Sequence, residues 1–178
     1  MRKIVVYELL SLDGVAERPD SFFADWDEAM DANLAAVIGS QDAVILGRRS
    51  YAEWAQFWPE AEIEPFATFI NGVTKHVATS TPLDRDWANA TVIDGDLVAF
   101  VQDLQKQDGG DIGVHASIEV AQALLKAAVF DELRLVIAPK LVGTGRRLLD
   151  NLPEIALESI RSERSPAGYL LADYRVIR

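Results

Sequence analysis

Apolar residues fall along this chain in two rhythms. Short uncharged runs such as Ala43-Val44-Ile45-Leu46 read as strands buried on both faces, the pattern of a parallel sheet interior. Residues 3–10 form an earlier β-rich run, broken by Ser11-Leu12-Asp13-Gly14, and residues 15–25 read as a long loop. Met30, Leu34, Val37 and Ile38 then follow the spacing of an amphipathic helix that Gly39 closes. Ser50 and Glu53 stand at capping-box spacing, which predicts a helix starting near Ser50 and stopping at Pro59. Residues 60–72 read as irregular or only partly helical. Further strands are predicted at 75–78, 91–93, 112–114 and 134–138. Leu97, Phe100, Val101 and Leu104 mark a helix with Asp96 as its N-cap, and Ile118, Ala121, Leu124, Leu125 and Ala128 mark another. Residues 155–163 and 169–177 read as strands joined by a turn at Ser165-Pro166-Ala167-Gly168, and so short a connection makes them antiparallel.

Alternating strands and helices imply an α/β protein, with residues 1–178 as one domain. The expected architecture is a mixed sheet of about eight strands, mostly parallel, with an antiparallel hairpin at its C-terminal end and helices on both faces. Composition narrows the function. There is no cysteine, so disulfides and thiolate chemistry are excluded, and two histidines cannot build a metal cluster. A reducing cytoplasm fits that composition. The net charge of −11 disfavours nucleic acid as a partner. No apolar run is long enough for a membrane helix, and Glu8 and Asp13 interrupt the first one, so the N-terminus reads as a strand rather than a leader. A small molecule is the expected partner.

In an open α/β sheet, ligands bind beyond the C-terminal ends of the parallel strands. Three such ends carry glycine or hydroxyl groups: Gly47-Arg48-Arg49-Ser50, Thr79-Ser80-Thr81 and His115-Ala116-Ser117. Uncapped helix amides and arginine forks both favour phosphate. A dinucleotide would suit the three junctions together; ordinary caps and turns account for them equally well.

These segments resemble the dihydrofolate reductase-like family, above all its riboflavin-pathway reductase branch. Leu10-Ser11-Leu12-Asp13-Gly14 is similar to that family's first-strand exit, and Gly47-Arg48-Arg49-Ser50-Tyr51 to its Gly-Arg-x-x-aromatic junction. The most specific stretch is Asp131-Glu132-Leu133-Arg134-Leu135, followed by Gly143-Thr144-Gly145-Arg146-Arg147-Leu148. The resemblance implies a dihydrofolate reductase-like three-layer sandwich, NADPH as cofactor, reduction of a small heterocycle and a homodimer. Gly47, Arg48, Arg49 and Ser50 would line the cofactor site, the arginines near the 2′-phosphate. Thr79, Ser80 and Thr81 would meet the adenosine ribose. Val114, His115, Ala116, Ser117, Ile118 and Glu119 would approach the pyrophosphate and nicotinamide. The family has Gly-Gly or Gly-Ser where this chain has Ala116-Ser117, which adds a Cβ at the groove.

For proton supply, the resemblance points to an acid on the first helix, and Asp31 falls near that position; Asp13, in the loop nearest the expected nicotinamide, is the rival. Asp27 and Glu28 lie close to Asp31, and all of these acids could be solvated charges. His115 reads better as a structural or cofactor-contacting residue than as a base. Phe22, Phe23, Trp26, Trp54 and Trp58 could wall a flat pocket or simply anchor loops. The leading activity is reduction of the ribosyl imine of a pyrimidine intermediate. Dihydrofolate reduction is the alternative, and a non-catalytic nucleotide-binding or scaffold protein is the rival from another class.

Overall fold

The computed structural model describes all 178 residues. Eight strands form one mixed sheet in the order β4-β3-β2-β5-β1-β6-β8-β7. The strands are β1 (Ile4–Ser11), β2 (Gln41–Gly47), β3 (Thr74–Ala78), β4 (Ala90–Val92), β5 (Asp111–His115), β6 (Glu132–Ala138), β7 (Leu157–Arg164) and β8 (Leu170–Val176). Strands β4 to β6 of that order pair in parallel; β8 runs antiparallel to both β6 and β7. The α/β architecture read from the sequence is therefore present, including the antiparallel C-terminal hairpin.

Two apolar cores sandwich the sheet. Helices α1 (Glu28–Ile38), α2 (Arg48–Phe57) and α3 (Phe66–Gly72) cover one face; α4 (Leu97–Gln105) and α5 (Ile118–Lys126) cover the other. Alternation along a strand divides residues between them. Ile45 joins the α4–α5 core, whereas its neighbours Val44 and Leu46 join the α1–α3 core, and all three are fully buried. Asp96 caps α4 by accepting from Ala99 N–H at 2.9 Å, and Asp27 caps α1 by accepting from Met30 N–H at 3.0 Å.

One local expectation is corrected. The capping box does not form: α2 starts at Arg48 with Gly47 as its N-cap, Ser50 bonds outside its own helix, and Glu53 faces Arg49. Within residues 60–72, read as irregular or only partly helical, residues 66–72 form α3. Glu64 accepts from the Thr68 hydroxyl at 2.6 Å and from its N–H at 3.2 Å. At the other end, buried Lys75 donates to the carbonyls of Ile70 (2.7 Å) and Val73 (2.9 Å). Those carbonyls would otherwise end the helix unpaired in the core.

The edge strand β7 is solvent-exposed along nearly its whole length. A bulge between Ser159 and Arg161 interrupts its pairing with β8, and such bulges blunt exposed edges. Arg161 crosses β8: its Nε donates to buried Asp173 at 3.0 Å, and its second arm donates to the Asn33 side-chain oxygen on α1.

The two-core packing sets a mutational expectation. Leu124→Ala, at a fully buried site on α5, should cost about 2–5 kcal/mol. Leu12→Ala, 64% exposed, should stay within about 0.5 kcal/mol. Urea unfolding of both variants measures the contrast.

Candidate functional site

Strands β2 and β5 lie side by side and parallel. The chain leaves β2 into α2 on one face and leaves β5 into α5 on the other. Their divergence opens a crevice at the C-terminal edge of the sheet, the place where open α/β folds bind ligands. It forms a cleft of about 710 Å³, lined on one side by Gly47, Arg48, Arg49 and Ser50 and on the other by Ala116, Ser117, Ile118 and Glu119, with Arg146 also contributing. Ala78 and Leu97 are shared with an adjoining hollow that contains Thr79, Ser80 and Thr81.

Hydrogen bonds fix the two junctions to each other. Gly47 N–H donates to the Ser117 hydroxyl at 3.0 Å, and the Ser50 hydroxyl donates to the Ala116 carbonyl at 2.9 Å. Neither Gly47 nor Ser117 caps its own helix with a side chain. The first amides of α2 and α5 are thus left without an intrahelical partner or a side-chain cap at the cleft, where the dipoles favour an anion. Ala116 is held at φ +49°, in the left-handed region. The backbone keeps the turn that glycine would adopt freely, with the alanine methyl added to the rim.

The cleft arginines are already matched with carboxylates. Arg48 faces Asp84 at 3.3 Å, and Arg49 lies 3.9 Å from Glu17 and 3.8 Å from Glu53. Arg146 pairs with Glu17 at 3.3 Å and Glu119 at 3.2 Å. Most of these side chains are well exposed, and such pairs contribute little to stability. A doubly charged phosphate can displace a single carboxylate at small cost.

Other sequence candidates lie elsewhere. Val114 is fully buried in the α4–α5 core. His115 is buried on the opposite face, with its ring against Tyr7, Phe66 and Phe69. Its Nε2–H donates to Gln41 Oε1 at 2.8 Å, and burial lowers its pKa to about 3, so it is a neutral structural group outside the cleft lining. Asp13 clamps a neighbouring loop, accepting from the Ser11 hydroxyl and from the amides of Val142 (3.0 Å) and Gly143 (2.8 Å). Those bonds hold its carboxyl well below the usual range, which suits a permanent anion and not a proton donor. Asp31 is exposed on α1 and accepts from the Trp26 indole at 2.7 Å; it does not line the cleft. Phe22 is buried, and Phe23 packs between it and Tyr169, so these aromatics anchor the loop.

Arg146 lines the cleft but was missing from the sequence-derived site. Arg146 was visible as one of two arginine pairs in an acidic chain.

The fold and the crevice together define a dihydrofolate reductase-like α/β domain. Residues 2–171 match the RibD C-terminal domain, and the chain belongs to that family. It is 24% identical over 180 residues to the YyaP protein of Bacillus subtilis, spanning 97% of this chain and 94% of that one. A 58-residue stretch is 47% identical to the riboflavin biosynthesis protein RibD of Escherichia coli, covering 33% of this chain and 16% of RibD. A riboflavin biosynthesis protein from Shewanella sp. PV-4 shares the fold with a TM-score of 0.81 at 20% identity over 99% of each chain.

The strain at Ala116 can be measured. A left-handed non-glycine residue costs roughly 1–2 kcal/mol, and the added freedom of glycine in the unfolded chain offsets about 0.4–1 kcal/mol of that. Ala116→Gly should therefore raise unfolding stability by about 0.5–1 kcal/mol in chemical denaturation. An equal or lower stability would contradict the left-handed assignment.

Proposed function

We propose that this protein is an NADPH-dependent reductase of a small heterocyclic substrate, most similar in activity to 5-amino-6-(5-phosphoribosylamino)uracil reductase. The observation that carries the reading is the tied crevice, which brings uncapped amides of two helices and three arginines to one cleft. Membership of the RibD C-terminal domain family supports the reductase class.

Within this reading, Arg48 and Arg49 receive the 2′-phosphate by exchanging Asp84, Glu17 and Glu53 for it. The amides opening α5, at Ile118 and Glu119, face the pyrophosphate. Thr79, Ser80 and Thr81 in the adjoining hollow offer hydroxyls to the adenosine ribose. The left-handed Ala116 sits on the cleft rim with its carbonyl fixed by Ser50, so the backbone follows the glycine-like path despite the extra methyl. When bound, the cofactor supplies a hydride for a C=N bond. Neither Asp13 nor Asp31 is placed to supply the accompanying proton, for the reasons of bonding and exposure given above.

Thermal unfolding with added cofactor tests the reading. At a hundredfold excess over Kd, NADPH should add about 2.7 kcal/mol, a rise of roughly 5–10 °C for a domain of this size. NADH should give a much smaller shift. The double variant Arg48→Ala, Arg49→Ala should lose the preference. Equal shifts with NADH would remove the assigned arginine role, and no shift with either would leave a family member that keeps the fold as a scaffold.

A further inference from the structure

Strand β1 reads Ile4-Val5-Val6-Tyr7-Glu8-Leu9-Leu10-Ser11. Val6 and Leu10 belong to the α4–α5 core, and alternation puts Glu8 between them on the same face. Its partner on β6 is Leu135, from the same core. Glu8 is only 3% exposed, takes part in no salt bridge, and its Oε1 has no hydrogen-bond partner. The polar group against the carboxyl is the Ser117 N–H. Ser117 is the N-cap of α5, and it also lines the cleft. An orphan carboxyl thus sits directly under the anion-favouring end of the site.

No cation offsets it. On α5, Glu119 is turned to Arg146, which also holds Glu17. From the β2–α2 junction, Arg48 faces Asp84 and Arg49 faces Glu17 and Glu53. From the loop after β6, Arg147 donates to the Asp13 carbonyl at 2.9 Å. On β6, Arg134 is held by Glu132 at 2.6 Å. Tyr7 and His115 belong to the opposite face of the sheet and are uncharged.

We propose that Glu8 is a proton-linked positioning residue: a phosphorylated ligand occupies the N-terminus of α5 only while the Glu8 carboxyl is protonated. The inference rests on the cofactor reading above. An ionised Glu8 would bind the Ser117 amide tightly and repel a pyrophosphate; a neutral one accepts from it only weakly and carries no repelling charge. Burial pushes its pKa up to about 8, so the competent form prevails at neutral pH and is lost above it. By linkage, the bound anion favours the proton as strongly as the proton favours the anion.

The test is the pH profile of NADPH affinity between pH 7 and 9, above the range where the cofactor's 2′-phosphate titrates. ADP-ribose, whose pyrophosphate does not titrate there, is measured in parallel. In the wild-type protein, Kd should rise about tenfold from pH 7 to 9, following the protonated fraction. Calorimetry in two buffers of different ionisation heat should show proton uptake on binding near pH 9. Glu8→Gln, a permanently neutral isostere, should give a flat profile and no uptake. That variant also separates Glu8 from Lys75, whose burial brings it to about 8 as well.

A flat wild-type profile without proton uptake, or a slope retained in Glu8→Gln, overturns the inference and leaves the cofactor reading standing. Failure of NADPH to bind, with Glu8-dependent binding of ADP-ribose, removes the cofactor reading and keeps the inference. Binding of neither ligand removes both. The wild-type calorimetry decides the matter even if the variant does not fold.

Discussion

The site depends on a pair of hydrogen bonds that join two helices leaving the sheet on opposite faces. Gly47 N–H to Ser117 and Ser50 to the Ala116 carbonyl span the crevice between β2 and β5. Divergence alone would make a gap of variable width; these bonds fix it. They also spend the two serine hydroxyls on each other's junction, so neither is used as a cap and the helix amides stay open to a ligand. The left-handed turn at Ala116 belongs to the same arrangement, because it forms the bend between β5 and α5 whose carbonyl Ser50 holds. Backbone strain at residue 116 and ligand readiness at residues 117–119 thus have one cause.

Much of the fold was legible because burial on both sheet faces leaves a plain mark: uncharged runs such as 43–46 and 112–114. The hairpin was legible from its turn, where Gly168 takes φ +92°. Helix α3 was legible only in part, since it is held by Lys75 from beyond its own end, a tertiary contact that no local pattern shows. The capping box at Ser50 and Glu53 failed for a related reason. A hydroxyl at the right spacing had a better partner in the β5–α5 junction. The family resemblance singled out Asp31 on α1, and the inward positions of that helix belong to Met30, Asn33, Leu34, Val37 and Ile38. Strand-end logic singled out residues 47–50 and 116–119, which line one cleft, but it could not tell that His115, one residue earlier, points through the sheet to the other side.

Charge is arranged in layers around the cleft. The chain carries a net −11, and its cleft arginines are neutralised by nearby carboxylates. A ligand therefore meets no strong attracting field at a distance, and its recognition must come from partner exchange at contact. Asp13 and Glu8 mark the two extremes available to a carboxyl near this rim. Asp13 receives a hydroxyl and two amides and is locked as an anion. Glu8 receives almost nothing and is pushed toward the neutral form. The sequence separates them by five positions; only the bonding environment distinguishes their chemistry.

The reach of Arg161 bears on how the chain keeps to itself. Its guanidinium ties the outermost strand to β8 through Asp173 and to α1 through Asn33. Peeling β7 away from β8, as an exchange of that strand between two molecules would require, strands a buried aspartate and a buried asparagine at once. That penalty falls on the strand the fold leaves least covered, so a side chain acting as a latch guards against swapped and polymeric forms where backbone pairing alone would invite them.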